Sequence, residues 1–154
     1  MSDIEKNKEL IKKYPFLLPR NVWTDKVLED YDYSYTRLDE IPDGWRIAFG
    51  EQLCEELKDA LLQAGYLDKF RFTQIKEKYG TLRLYNNGCN KEAWDVINKY
   101  EALSARTCIV CGKPATKISQ GWICPYCDKC GDNLKVPETF VNIDEYFSND
   151  ETEC

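Results

Sequence analysis

The stretch Cys108-Ile109-Val110-Cys111-Gly112-Lys113, followed by Gly121-Trp122-Ile123-Cys124-Pro125-Tyr126-Cys127-Asp128-Lys129-Cys130-Gly131, governs how the rest of the chain is read. Five of the eight cysteines fall within the 23 residues from Cys108 to Cys130. A two-residue gap lets both thiolates of a knuckle face one ion, and a glycine after the second cysteine relieves the tight turn. Pairing Cys108 and Cys111 with Cys127 and Cys130 gives C-x2-C-x15-C-x2-C, a zinc-ribbon-type spacing. Cys124 with Cys127 is the competing second knuckle, with 12 residues between the pairs. We expect Cys127 and Cys130 to be the ligands, with Cys124 the alternate, otherwise spare or packed. The expected cofactor is structural Zn2+, because four thiolates close the coordination shell and leave no position for water. Cys124-Pro125-Tyr126-Cys127 also has the form of a dithiol motif, but no βαβ pattern surrounds it.

Composition frames this segment. The chain has 154 residues, 43% apolar and 31% charged, enough for one globular domain with a metal-stapled appendix. No apolar run approaches the roughly 20 residues of a membrane span, so no membrane association is expected. The polar start Met1-Ser2-Asp3-Ile4-Glu5-Lys6 predicts no secretory signal. Together with the clustered cysteines it points to a reducing compartment, the bacterial or host-cell cytoplasm. Histidine is absent, which removes histidine triads, proton shuttles and histidine ligands. The net charge of −6 argues against a nonspecific grip on nucleic acid.

Moving outward, Ser2 and Glu5 form a capping box for a helix bearing Ile4, Leu10 and Ile11, which should stop before Pro15. Residues 15 to 42 lack a clean period and read as an irregular aromatic wrap. Within it, Tyr31, Tyr33 and Tyr35 alternate, which suits either an edge strand or a packed loop. Asp43 can cap a helix on which Trp45, Phe49, Leu53, Leu57 and Leu61 recur every fourth residue, with Leu62 beside them, and Gly65 can end it. Phe70 to Tyr85 alternates as two antiparallel strands, with a turn near Lys78–Gly80 and a bulge at Gln74-Ile75. Asn90 can cap a helix carrying Ala93, Trp94, Val96, Ile97, Tyr100 and Leu103 on one broad face. That helix runs almost directly into Cys108, so the knuckle should be docked on the core. Phe140 to Phe147 offers a last strand or packed segment, and an acidic tail follows Ser148. The expected organisation is 1–42, N-terminal helix and wrap; 43–107, α+β core; 108–135, four-cysteine knuckle; and 136–154, C-terminal segment and tail.

Charge is unevenly placed. From Asp25 to Asp59 there are eleven acids and four bases. From Lys69 to Arg83 five bases face only Glu77. A hairpin would put Lys76, Lys78 and Arg83 beside Tyr79 and Tyr85, a candidate face for a nucleotide or other phosphorylated small ligand. The plainer alternatives are a solvated sheet face, or one that pairs internally with the acidic helix.

No catalytic motif is present: there is no Gly-rich phosphate loop, G-x-S-x-G or H-E-x-x-H, and no catalytic residue is assigned. Asp30-Tyr31-Asp32 is too short a pattern to specify a cation site. We expect a non-enzyme. The order of features resembles a loosely defined set of small uncharacterised proteins from bacteria and their phages. Gly44-Trp45 opens a helix, Gln74-Ile75-Lys76-Glu77-Lys78-Tyr79-Gly80-Thr81-Leu82-Arg83-Leu84-Tyr85 follows, and a CxxCG…GW…CxxC knuckle comes last. The resemblance spans about residues 43 to 131. It places the second knuckle on Cys127 and Cys130, with Thr81 where a second glycine is common and Cys124 as an extra thiol. It implies a phage or prophage-like origin and a metal-binding domain, with no activity attached.

The expected architecture is α+β: a small antiparallel sheet packed by two main helices and closed by a docked four-cysteine zinc-ribbon-like knuckle. The expected function is noncatalytic binding by a phage or prophage accessory protein that binds or inhibits a host protein, for instance in a defence pathway. Two alternatives stand beside it: phosphorylated-ligand capture by the hairpin face, and nucleic-acid binding by the ribbon. The last has only Lys113, Lys117 and Lys129 as bases between Cys108 and Cys130.

Overall fold

The computed structural model describes residues 2–151 and shows an α+β fold. The Ser2 side chain accepts from the Glu5 N–H and the Glu5 carboxylate accepts from the Ser2 N–H, so the capping box opens α1 (Asp3–Lys13). Pro15 cannot continue that helix but suits the start of a 3-10 turn, Pro15–Leu17. α1 itself buries no residue. The turn after it drives Tyr14, Phe16 and Leu17 into the core, where Phe16 meets Phe70 and Phe72 edge-on at 5.9 and 5.6 Å. The strand option for Tyr31, Tyr33 and Tyr35 is not realised: they lie in irregular backbone that bends at Tyr33, where φ is 64°, and the Tyr31 ring packs on those of Tyr33 and Tyr35.

α2 (Asp43–Trp45) runs through a π-helical stretch, Arg46–Gly50, into α3 (Glu51–Gln63). Asp43 lies inside the first turn, not at the cap, and pairs with Arg46 at 2.9 Å. The i+4 stripe is buried from Trp45 to Leu61, while Leu62 is exposed. Gly65, at φ 73°, ends the helix with its N–H on the Leu62 carbonyl.

β1 (Phe72–Lys78) and β2 (Thr81–Asn86) pair antiparallel, with Lys76 opposite Arg83 and Lys78 opposite Thr81. Tyr79 and Gly80 form the two-residue turn, both at positive φ (51° and 80°), as a type I′ hairpin requires. The register shift lies between Phe72 and Gln74, just before the place the alternation suggested. Ile75, Leu82 and Leu84 face inward, leaving Lys76, Lys78, Arg83 and Tyr85 on the opposite face. α4 (Lys91–Ser104) covers the outer edge of β2. Ser104 Oγ accepts from the Leu82 N–H and the Glu101 carboxylate from the Leu84 N–H, both at 2.8 Å, so side chains complete the edge that a third strand would otherwise fill. The buried face of α4 is narrower than expected: Ala93, Ile97, Tyr100 and Ser104 are in, and Trp94 and Leu103 are exposed. Asn90 occupies the cap position, but its side chain donates to the Ala60 carbonyl instead.

The cysteine-rich part builds a second sheet, β4 (Pro125–Tyr126), β3 (Lys117–Ser119) and β5 (Phe140–Asn142), in that order and all antiparallel. With α5 (Asp128–Asp132) and α6 (Ile143–Glu151) it surrounds a small core of Ala115, Ile118 and Ile143. The fold thus holds two separate small sheets where the sequence suggested one. The stretch after Phe140 is a strand followed by a helix whose end at Glu151 takes in the first residues of the acidic segment expected after Ser148. Cys154 lies outside the described residues.

Candidate metal centre and adjoining groove

The two knuckles bring Cys108, Cys111, Cys127 and Cys130 together, with all four Sγ atoms within 4.8 Å of one another. Cys111 Sγ and Cys127 Sγ are 3.7 Å apart. A tetrahedral ion with metal–sulfur bonds of about 2.3 Å holds its sulfurs about 3.8 Å apart, so the cluster has the dimensions of a four-thiolate site. Local backbone bonds set this spacing. Gly112, at φ 84°, returns its N–H to the Cys108 carbonyl at 3.1 Å. Cys127 caps α5, and its sulfur accepts from the Cys130 N–H at 3.4 Å. That N–H is the main reason the Cys127 thiol is pulled down to about 7. Burial, followed by hydrogen bonding to Cys127, pushes Cys130 up to about 12. The four cysteines are therefore compatible with a bound metal ion.

The first knuckle is docked on the main core. The Gly44 N–H donates to the Ile109 carbonyl and the buried Trp45 Nε1 to the Thr107 carbonyl, both at 2.9 Å. A methyl group on Gly112 would lie 2.6 Å from the Gly44 carbonyl oxygen. The Gly44-Trp45 pair and the C-x-x-C-G knuckle thus meet across one close contact.

Cys124 is not part of the cluster. It is buried against the hairpin, its thiol directed at Glu77 Oε1 at 3.7 Å, and burial and then Glu77 push it up to about 12. The same carboxylate accepts from the Gly80 N–H at 2.9 Å. Cys54 sits in the main core and Cys89 is half-buried.

On the hairpin, Lys76, Lys78, Arg83 and Tyr85 share one face, as the alternation implied. Among the described residues none of the three bases forms an ion pair, so the acidic α3 does not neutralise them; Glu55 and Glu56 pair with Lys13 and Lys99. The Arg83 Nε is buried without a partner. Tyr79 projects from the turn, 71% exposed. A groove of about 290 Å³ separates Lys76–Tyr79 from Gly121–Ile123; Arg83 and Tyr85 do not line it. Trp122, on the far wall, is 73% exposed. Its backbone is nonetheless held firmly. The Ser119 hydroxyl donates to the Trp122 carbonyl, and the Glu138 carboxylate accepts from the Gly121 and Trp122 N–H groups at 2.7 and 3.5 Å. Trp122 entered the sequence reading only as a spacing mark within the knuckle. Nothing in a single sequence distinguishes an exposed tryptophan from a core one. Asp32, from the short Asp-x-Asp pattern, accepts from the Ser34 N–H in a loop turn.

Comparison with protein-family models, with curated proteins and with solved structures finds no match to this chain.

Proposed function

We propose that this chain is a noncatalytic binding protein stapled by one structural Zn2+ on Cys108, Cys111, Cys127 and Cys130. The observation that carries the reading is the closed set of four thiols, all within 4.8 Å of one another. An ion held there cross-links two knuckles and supplies folding free energy, with no open position for a reacting group. The resemblance noted above supports a phage or prophage accessory protein that binds or inhibits a host factor in the cytoplasm. Native mass spectrometry tests the metal: one zinc per chain is expected, lost on Cys108→Ser. Metal-free protein with these cysteines in disulfides overturns it. The partner reading is tested by recovery from host extract followed by reconstitution with the purified partner. Repeated failure, where a control inhibitor succeeds, counts against it.

A second reading is favoured by one specific observation. Lys76, Lys78 and Arg83 share a face without ion pairs among the described residues, which supports capture of a phosphate-bearing ligand by the hairpin. The ribbon itself is a poorer nucleic-acid contact: Lys117 pairs with Asp132 at 2.8 Å and lies over the Phe140 ring.

A further inference from the structure

The groove between the hairpin turn and the Gly121–Ile123 loop combines three features. Two large, exposed aromatics, Tyr79 and Trp122, stand on opposite walls. Both are presented on rigid backbone. Tyr79 occupies a left-handed turn position that favours glycine or asparagine, and the Gly80 N–H beside it is held by the Glu77 carboxylate. Trp122 is fixed through Ser119 and Glu138 while its ring stands in solvent. The third feature is charge. Lys76 and Lys78 line the same groove, two residues apart on one face of β1, hence about 6.7 Å apart along the strand. Arg83 lies on β2 directly across from Lys76, on the same sheet face and just outside the groove's lining. Two carboxylates border the groove, and both are already engaged. Glu77 accepts from the Gly80 N–H and faces the Cys124 thiol, and Glu138 accepts from the Gly121 and Trp122 N–H groups.

We propose that this groove binds single-stranded nucleic acid, one base stacking on Tyr79 and Trp122 while successive phosphates pass Lys78 and Lys76 and leave the groove at Arg83 on the same sheet face. The inference rests on the phosphate-capture reading of the hairpin and names its ligand class. Aromatic faces accept any base, and a row of cations spaced along a strand suits a chain of phosphates better than a single one. The volume of about 290 Å³ is at the small end for a small-molecule pocket and holds a base, not an enclosed nucleotide. The net charge of −6 weighs against a grip by the chain as a whole, but it arises between Asp25 and Asp59, outside the groove: eleven acids and four bases lie there, and the rest of the chain has 16 acids and 17 bases.

The test is fluorescence anisotropy of the full-length, zinc-loaded chain with labelled single-stranded DNA and RNA, the matching duplexes, and free mononucleotides as competitors. Zinc content is measured on every variant first, so a failed metal site is seen separately from a failed groove. The expected result is preference for single strands, with a log–log salt slope of roughly −2, as two to three neutralised phosphates give. Trp122→Ala and Tyr79→Asn should each weaken binding roughly tenfold or more, and Trp122→Phe should restore part of it. Asparagine suits the turn, so that variant removes the ring and keeps the hairpin. Lys76→Glu with Lys78→Glu should flatten the salt slope. No binding at low salt, equal binding of duplex, a mononucleotide that competes as well as the oligomer, or indifference to both aromatic variants overturns the proposal. If mononucleotides alone bind, the phosphate-capture reading survives and the strand does not.

Discussion

A methyl group added at Gly44 would sit 2.2 Å from the Cys108 carbonyl oxygen and 2.5 Å from the Ile109 carbonyl carbon. Both are backbone atoms and cannot turn aside. Gly44→Ala should therefore cost about 3 kcal/mol or more and loosen the first knuckle. Gly65→Ala makes the contrast: nothing lies within 4 Å of it, and only its φ of 73° is unfavourable. It should cost about 1–2 kcal/mol. Thermal melts of the two variants separate steric from conformational loss. Cys54 makes a different prediction. Burial pushes its thiol from the usual 9 to about 12, so the folded state holds it protonated where the unfolded chain would ionise. That contribution is complete below about pH 9 and is lost as pH rises toward 12. In melts across this window, Cys54→Ala should lose less stability with rising pH than the parent. Equal slopes would show that Cys54 contributes nothing to the alkaline limb.

At the level of elements, the hairpin was the part most open to reading. Lys76, Lys78 and Arg83 alternate with Ile75, Leu82 and Leu84, and a period of two fixes both faces once the register is set. The long i+4 stripe of α3 was legible for the same reason. Residues 15 to 42 were not, because 3-10 turns bury Tyr14, Phe16, Leu17 and Leu38 at intervals that match no helix or strand period. β3 was hidden because a three-residue strand is too short to alternate, whereas β5 falls where a last strand was one of the options from Phe140. Of the candidate site, the four cysteines were legible from spacing, since each knuckle is local. The groove was not, because Tyr79 and Trp122 lie far apart in sequence and are brought together by the docking of Gly80 and Glu77 against Ile123 and Cys124. Two variants probe these elements. Ser104→Ala leaves the buried Leu82 N–H without its acceptor and should cost about 1–3 kcal/mol in chemical denaturation. Tyr79→Asn replaces a ring in the left-handed region with a residue that tolerates it, and should raise stability by up to about 1 kcal/mol. The same variant is expected to lose ligand, so stability and binding should move in opposite directions.

Over the whole molecule, the two hydrophobic cores differ greatly in size. The main core includes Trp45, Leu57, Leu61, Phe70, Leu82 and Ile97, all fully buried. The second has Ala115, Ile118 and Ile143, too few apolar groups to hold a sheet without a cross-link. Chelation should therefore melt the chain unevenly. In hydrogen exchange, α3, α4 and β2 should keep their protection while 108–143 lose theirs, and zinc should restore it. Uniform loss would show that the main core depends on the ion as well. The groove draws one wall from each core, Tyr79 from the hairpin and Trp122 from the cysteine segment. Were an ion held on the sulfurs and a ligand in the groove, the two would be linked through this shared wall. Whatever factor the ion adds to the occupant's affinity, the occupant returns to the ion's.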